Sequence, residues 1–270
     1  NPCINGVNAG ENIIQCTADD NYITEQKDIS AKHQKDSGWV PNLSVTFYTS
    51  ENGRVYLRYS EAIRYPSMFE STIGFSSSTN PWGLEPEHAY NYEVAYIHNL
   101  AGWGGSESAD VKLTYYNNTT KNVIERSPQL RFSNLEKQMT SGVEFQGRYD
   151  SGRFFTDFSL AHVLKNKVCD EDSALSISTD GSTPDCVDDG FVGGYLVSMS
   201  QPEWSANLGL GARFLDRKLE IGGRAIYYRQ HESKFNSNYP NSAMVSYYIN
   251  TPMSWDKIVT YDAYVNYKLT

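Results

Sequence analysis

RVYLRYSEAIRYPSMFESTIGFSSSTNPWGLEPEHAYNYEVAY, residues Arg54 to Tyr96, is the stretch whose reading decides the fold. Val55, Leu57 and Tyr59 alternate with Arg54, Tyr56 and Arg58, the period-two pattern of a strand with one apolar and one polar face. The pattern stops at Ile63-Arg64-Tyr65-Pro66, because proline lacks the N–H that a sheet ladder needs. A Ser/Thr/Gly/Asn-rich loop follows. A second alternating run then begins after Leu84-Glu85-Pro86-Glu87, with Tyr92, Val94 and Tyr96 on one face. The segment reads as strand, long loop, returning strand.

The same alternation extends in both directions. Upstream, Leu43, Val45 and Phe47 alternate with Ser44, Thr46 and Tyr48, and Glu51-Asn52-Gly53 predicts a tight hairpin with a type I′ turn. Residues 1 to about 40 carry no sustained period and read as a long loop. Downstream, a turn around Gly102-Trp103-Gly104-Gly105 leads to Val111, Leu113 and Tyr115, followed by a predicted loop from Asn117 to about Gln138. Val143, Phe145 and Tyr149 lead to a turn at Asp150-Ser151-Gly152, and Phe154, Phe158 and Leu160 return. A loop from about Asn166 to Gln201 precedes Trp204 to Phe214. Asp216-Arg217 turns the chain into Leu219 to Tyr228, and a loop from about Gln230 to Trp255 precedes the last run from Val259 to Leu269. The total is about nine strands of roughly 9–11 residues, the length that crosses a bilayer when tilted. Tight and long connections alternate, as in transmembrane barrels. Arg58, Lys112, Glu144, Arg224 and Lys268 all fall on the polar phase, which would face a wet lumen. The fold expected is all-β, a transmembrane antiparallel β-barrel over residues 41–270, with residues 1–40 as an extracellular loop.

Two short stretches carry a family resemblance. Arg64-Tyr65-Pro66-Ser67-Met68-Phe69-Glu70 resembles the FRAP box of TonB-dependent outer-membrane receptors, with Arg64, Pro66, Phe69 and Glu70 as its matching residues. Asn80-Pro81-Trp82-Gly83-Leu84-Glu85-Pro86-Glu87 resembles the NPDL/LKPE box that follows it, expanded by one residue and matching at Asn80, Pro81, Leu84, Pro86 and Glu87. Phe132-Ser133-Asn134 ahead of Ser141-Gly142-Val143-Glu144 resembles the family's N-x-G-x-E strand start. The resemblance implies a barrel of about 22 strands, of which this chain would be the C-terminal portion without the last two. A signal peptide, plug domain and early strands are expected upstream, because Asn1-Pro2-Cys3 is neither basic nor apolar enough for a signal peptide.

Composition agrees with the barrel reading. No apolar run reaches the ~18 residues of a membrane helix. Mean hydropathy is -0.54, but lumen and lipid faces alternate and cancel in such an average. The 20 Tyr, 11 Phe and 5 Trp suit the aromatic girdles of an outer-membrane barrel. A secreted or surface β-sandwich, as binding module or adhesin, is the alternative from another class. A net charge of -9 argues against nucleic acid, which demands clustered Lys and Arg.

Four cysteines allow three connectivities. Pairing within each polar loop, Cys3–Cys16 and Cys169–Cys186, is expected over bridges between the loops. The spacings and the lack of a His cluster speak against zinc, and disulfides imply an oxidising compartment. Cys169-Asp170-Glu171-Asp172 with Asp185, Asp188 and Asp189 offers oxygens that suit Ca²⁺ but lacks EF-hand spacing, so it reads as a solvated acidic loop.

No catalytic motif stands out, so no enzyme and no catalytic cofactor are expected. The resemblance implies an iron-source importer of the outer membrane, energised through the TonB complex by upstream parts of the protein. Cys169 and Cys186, followed by Gly193-Gly194 and then Arg213-Phe214-Leu215-Asp216, resemble the haem and haem-protein receptor branch. Ferric siderophore is the alternative cargo. Haem iron takes imidazole ligands, and His231, with Tyr239 and Tyr247 in the same loop, is the preferred candidate. His88, beside Glu87 at a strand entry, is less suited, and Phe75 in the loop between the boxes and Trp82 within the second box are further candidates for the ligand site. His33 sits in a sparse polar stretch, His98 near the periplasmic end of a strand, and His162 on the apolar phase near the outer rim. Haem receptors of this family often carry a His between the two boxes, and Glu70 to Thr79 has none here, which would move the axial ligand elsewhere.

Overall fold

The computed structural model describes residues 35–71, 83–127, 131–178, 181–232 and 254–269. The chain divides into two compact units, Asn1–Ser37 and Gly38–Thr270, and every described strand belongs to the second. Cys3, Cys16 and His33 lie outside the described residues.

The described residues form one antiparallel sheet. Its strands are β1 (Asn42–Tyr48), β2 (Gly53–Arg64), β3 (Glu87–Asn99), β4 (Ser108–Arg126), β5 (Phe132–Asp150), β6 (Phe154–Cys169), β7 (Cys186–Asp188), β8 (Trp204–Phe214), β9 (Leu219–Tyr228) and β10 (Ile258–Tyr267). Nine of them follow a simple meander, and β7 pairs with the outer end of β6. Short helices α1 (Met68–Ser71), α2 (Glu171–Ile177) and α3 (Tyr195–Ser198) sit in the long connections. This is the strand count and order of a barrel wall, and neither the two-sheet packing nor the Greek-key connections of a β-sandwich occur among the described residues.

The register keeps the two phases apart from strand to strand. Leu57, Val94, Tyr115, Val143, His162 and Trp204 are successive cross-strand partners on one face. Leu113, Phe145, Leu160, Leu210 and Val265 are exposed on that face, as lipid-facing residues must be. The opposite face holds polar contacts: Lys112 lies 3.4 Å from Glu93, Arg148 pairs with Asp110, and Arg213 meets Asp150 and Glu220 at 2.9 Å each. Arg213 also lies over the Phe155 ring at 4.4 Å. The expected polar phase therefore lines the lumen side.

Three expectations are corrected. The β1–β2 turn is not a two-residue type I′ turn, since neither Asn52 nor Gly53 has positive φ. Thr49 and Ser50 instead donate their N–H groups to the Gly53 carbonyl at 2.9 and 3.2 Å, and the Ser50 hydroxyl accepts from the Gly53 N–H at 2.8 Å. The predicted loop from Asn117 to Gln138 is mostly strand, because β4 and β5 continue past the bilayer as a paired hairpin. Lipid no longer imposes an apolar face there, so the period-two signal fades while the ladder persists. The predicted loop from Asn166 to Gln201 holds the end of β6, then α2, β7 and α3.

The tight turns gather at one end. Gly152 at φ 81 closes the β5–β6 turn, and three consecutive residues at positive φ, Leu215, Asp216 and Arg217, close β8–β9. The long connections and the extended β4–β5 hairpin gather at the other.

Candidate functional site

The wide-looped end carries two packed nodes. The first joins the two sequence boxes. Arg64, the last residue of β2, holds Glu87, the first of β3, through Nε to Oε2 at 2.6 Å and Nη2 to Oε1 at 2.8 Å. Its Nη1 also donates to both oxygens of Glu70 at 3.0 Å. Ser67 and Glu70 satisfy each other's N–H groups, at 2.7 Å to the Glu70 carboxylate and 3.2 Å to the Ser67 hydroxyl, a reciprocal cap that starts α1. Burial opposes the charge on Glu70, but the bonds from Ser67 and Arg64 outweigh it and hold the carboxyl below its usual range.

The node also reaches the β4–β5 hairpin. Glu87 Oε1 accepts from the Ile124 N–H at 2.8 Å. The Asn134 side chain accepts from the Glu85 N–H at 2.8 Å and donates to the carbonyls of Glu85 and Asn122 at 2.9 and 2.7 Å, so the amide substitutes for a missing strand. Asn122, at φ 53, donates to Glu85 Oε2 at 2.8 Å. Leu84, Ile124 and Phe132 are buried together beneath, and Phe69 meets Phe132 edge-on at 5.9 Å. Arg64, Phe69, Glu70, Leu84 and Glu87 are therefore brought together. Pro66 and Pro86 punctuate the loop, while Asn80, Pro81, Trp82 and Phe75 lie outside the described residues.

The second node is a cap on β4, β5 and β6. Val123, Leu135, Val168, Ala174, Ile177, Val187 and Phe191 form its core, closed by the Cys169–Cys186 disulfide. Asp170 caps α2 by accepting from Ser173 N–H at 2.9 Å and also accepts from Glu136 N–H at 3.2 Å. Asp188 pairs with Lys167 at 3.4 Å, and Asp189 accepts from Asn166 at 3.1 Å. These acids are structural, and the described residues hold no cluster of three or more groups suited to a metal. Glu125 is buried in the cap and accepts from the N–H groups of Tyr195 and Leu196. Burial pushes its carboxyl up to about 7, against the pull of those N–H groups and of Arg126.

His231 lies beside this cap. It exchanges backbone hydrogen bonds of 3.0 Å with Trp255, and its ring stacks on Trp255 at 4.4 Å. The side chain is 9% exposed, and Nε2 lies 3.7 Å from Asp189 with no hydrogen-bond partner among the described residues. Tyr239 and Tyr247 lie outside them. His88 points to the outward face, with Nε2 on Glu61 at 2.6 Å and Nδ1 at 3.3 Å from the Tyr90 hydroxyl, so both ring nitrogens are engaged. His162 stacks on Trp204 at 3.9 Å in the outer girdle, the packing role its phase predicts.

Sequence reasoning missed Asn122, Asn134 as a bracket, Glu125 and Trp255, and it read Asp189 as part of an acidic loop rather than as the neighbour of His231. The Ser67-x-x-Glu70 spacing was a readable capping signal. The others act through contacts between distant segments, which no local spacing encodes.

Comparison with known proteins matches residues 17–270 to the family described as "TonB dependent receptor-like, beta-barrel". The chain is 46% identical over 254 residues to a "Hemophilin receptor" of Acinetobacter baumannii, covering 89% of this chain and 24% of that protein. It is 31% identical over 197 residues to a "Probable TonB-dependent receptor" of Haemophilus influenzae, covering 64% of this chain and 21% of the relative. The chain thus spans about a quarter of the length of these relatives. Among solved structures, the ferric enterobactin receptor of Pseudomonas aeruginosa superposes with TM-score 0.57 at 15% identity, over 86% of this chain and 33% of its own. The siderophore receptor PirA of A. baumannii gives 0.56 at 16%, over 86% and 35%. At such identities the structural likeness concerns the fold.

Proposed function

Since the chain belongs to the TonB-dependent receptors, we propose that it forms wall and extracellular surface of an outer-membrane importer for haem, taken free or from a haem-carrying protein. The observation that carries the cargo is the 46% identity to a hemophilin receptor over 89% of the chain. The role is reception and transport rather than catalysis. Transport energy comes through the TonB complex, by way of upstream parts of the protein.

The two nodes support this reading in physical terms. A receptor must present a shaped outer surface on strands that otherwise end in mobile loops. Here the Arg64–Glu87 bracket and the disulfide-closed cap order that surface from opposite sides of the β4–β5 hairpin. In this reading His231, Tyr239 and Tyr247 face the cargo. Because the His231 ring is stacked on Trp255 and close to Asp189, iron reaches Nε2 only if that loop shifts. His88, with both nitrogens engaged, is the weaker ligand.

Hemin titrated into the full receptor tests the proposal. A saturable Soret shift is expected, weakened in His231→Ala. Loss of only the His231 effect removes that residue assignment. A ferric siderophore that binds while hemin gives no saturable shift removes the cargo.

A further inference from the structure

Four lysines stand on the outward face just above the apolar band: Lys121 on β4, Lys137 on β5, and Lys165 and Lys167 on β6. Counted from the tight turns, the ~9–11 residues that cross a bilayer are spent by about Asn117, Ser141 and Leu164. The lysines come next on each strand, at headgroup level. The girdle beneath them is aromatic, with Tyr90, Tyr92 and the His162–Trp204 stack. Lys121 Nζ lies 5.5 Å from the centroid of the Tyr90 ring, and Lys165 Nζ lies 3.4 Å from Met139 Sδ. Both side chains therefore run along the outward face.

Two features set this cluster apart from scattered surface lysines. Lys121 and Lys137 are direct cross-strand partners. Like charges so placed, with Cβ atoms about 4.5–5.5 Å apart, destabilise a sheet, yet neither has an acidic partner among the described residues. The second feature is a β-bulge. Gly142 pairs with Val163 and Ser141 with Lys165, so Leu164 is an extra residue on β6. Without it, Lys165 and Lys167 would continue the lumen phase of Ser159, Ala161 and Val163. The bulge re-aims both onto the outward face. Lys167 meets Asp188 at 3.4 Å, which leaves three of the four lysines with no carboxylate partner among the described residues, in a chain of net charge -9.

We infer that this patch binds the phosphate groups of an anionic glycolipid of the outer leaflet. A phosphate between Lys121 and Lys137 turns their repulsion into two charge-assisted bonds, and Lys165 closes the site from the next strand. The acyl chains of the same lipid would run down the outward face toward Leu113, Phe145 and Leu160, which are exposed in the middle of the apolar band.

The test uses the full receptor in detergent, stripped of lipid, with diphosphoryl lipid A added and bound adducts counted by native mass spectrometry. The wild type is expected to bind saturably. Lys121→Gln with Lys137→Gln should weaken binding at least tenfold, and adding Lys165→Gln should weaken it further. Lys121→Arg with Lys137→Arg keeps the charges and should retain binding, which separates charge loss from misfolding. Lys218→Gln, at the tight-turn end, should bind as wild type. Inorganic phosphate at equal phosphate concentration should not displace the lipid. Unchanged binding in the triple glutamine variant overturns the inference, as does equal binding of a dephosphorylated lipid A or displacement by inorganic phosphate.

Discussion

Arg64 and Glu87 form a two-pronged ion pair, at 2.6 and 2.8 Å, that joins the end of β2 to the start of β3 beneath the loop between them. The same carboxylate accepts from the backbone of Ile124, so one residue locks two hairpins. Glu70 is held by only one nitrogen of the same guanidinium, Nη1. Glu87→Ala should therefore loosen the β2–β3 loop more than Glu70→Ala. With Arg64 nearly half exposed, the Arg64→Lys loss is about 1 kcal/mol once solvent screening is counted. Limited proteolysis of the full receptor reads this out: cleavage between residues 65 and 86 should be faster in Glu87→Ala than in Glu70→Ala. Equal rates would show that the bracket does not order the loop.

Glu125 makes the cap pH-dependent. Its carboxyl titrates near 7 in the folded cap and at 4.5 when free, so between these values the folded cap holds more protons than the open one. Stability is then fully present below about 4.5 and declines as pH rises through 7. Hydrogen exchange of residues 190–198 should be faster at pH 8 than at pH 5, beyond the intrinsic base-catalysed increase. Glu125→Gln should remove the extra dependence and protect the segment at pH 8. Unaltered pH behaviour in that variant contradicts the assignment.

The disulfide between Cys169 and Cys186 spans a separation of 17 residues, worth about 3 kcal/mol in the chain-entropy description. Replacing both by Ser should raise exchange in α2 and β7 and leave the β8–β9 wall unchanged. Mass mapping of unreduced peptides should also find Cys3 joined to Cys16, and a cross-pair would contradict the local pairing.

Face assignment is tested by charge insertion. Leu210 and Val265 are 54% and 69% exposed on the outward face, where Arg or Lys near the midplane costs about 2–4 kcal/mol. Leu210→Arg and Val265→Arg should impair assembly of the full receptor. Asn266→Arg should be tolerated, because it lies opposite Glu220 on the lumen face. Asn207 shares that face but accepts from Arg224 at 2.5 Å, so a new cation there meets a like charge. Heat-modifiable gel mobility reports assembly, and equal damage at positions 265 and 266 would contradict the assignment.

The strand meander was legible because lipid on one side and water on the other impose period two from Leu43 to Tyr267. The same logic explains the failure at Asn117–Gln138, where β4 and β5 leave the bilayer and both faces turn polar. Arg64 and Glu87 were legible as residues of the two boxes flanking one loop, but neither their pairing nor Asn134 as their bracket was, since these contacts join separate segments. Cys169–Cys186 was legible from proximity in sequence. Burial of His231 was not, because it depends on Trp255 returning from the far side of a long loop.

The measurement that tests the central claim most directly is growth on a single iron source. A strain lacking its native haem receptors and carrying the full-length protein should grow with hemin or a haem-carrying protein as sole iron. That growth should disappear when the TonB complex is deleted. Growth on a ferric siderophore but not on either haem source would contradict the account.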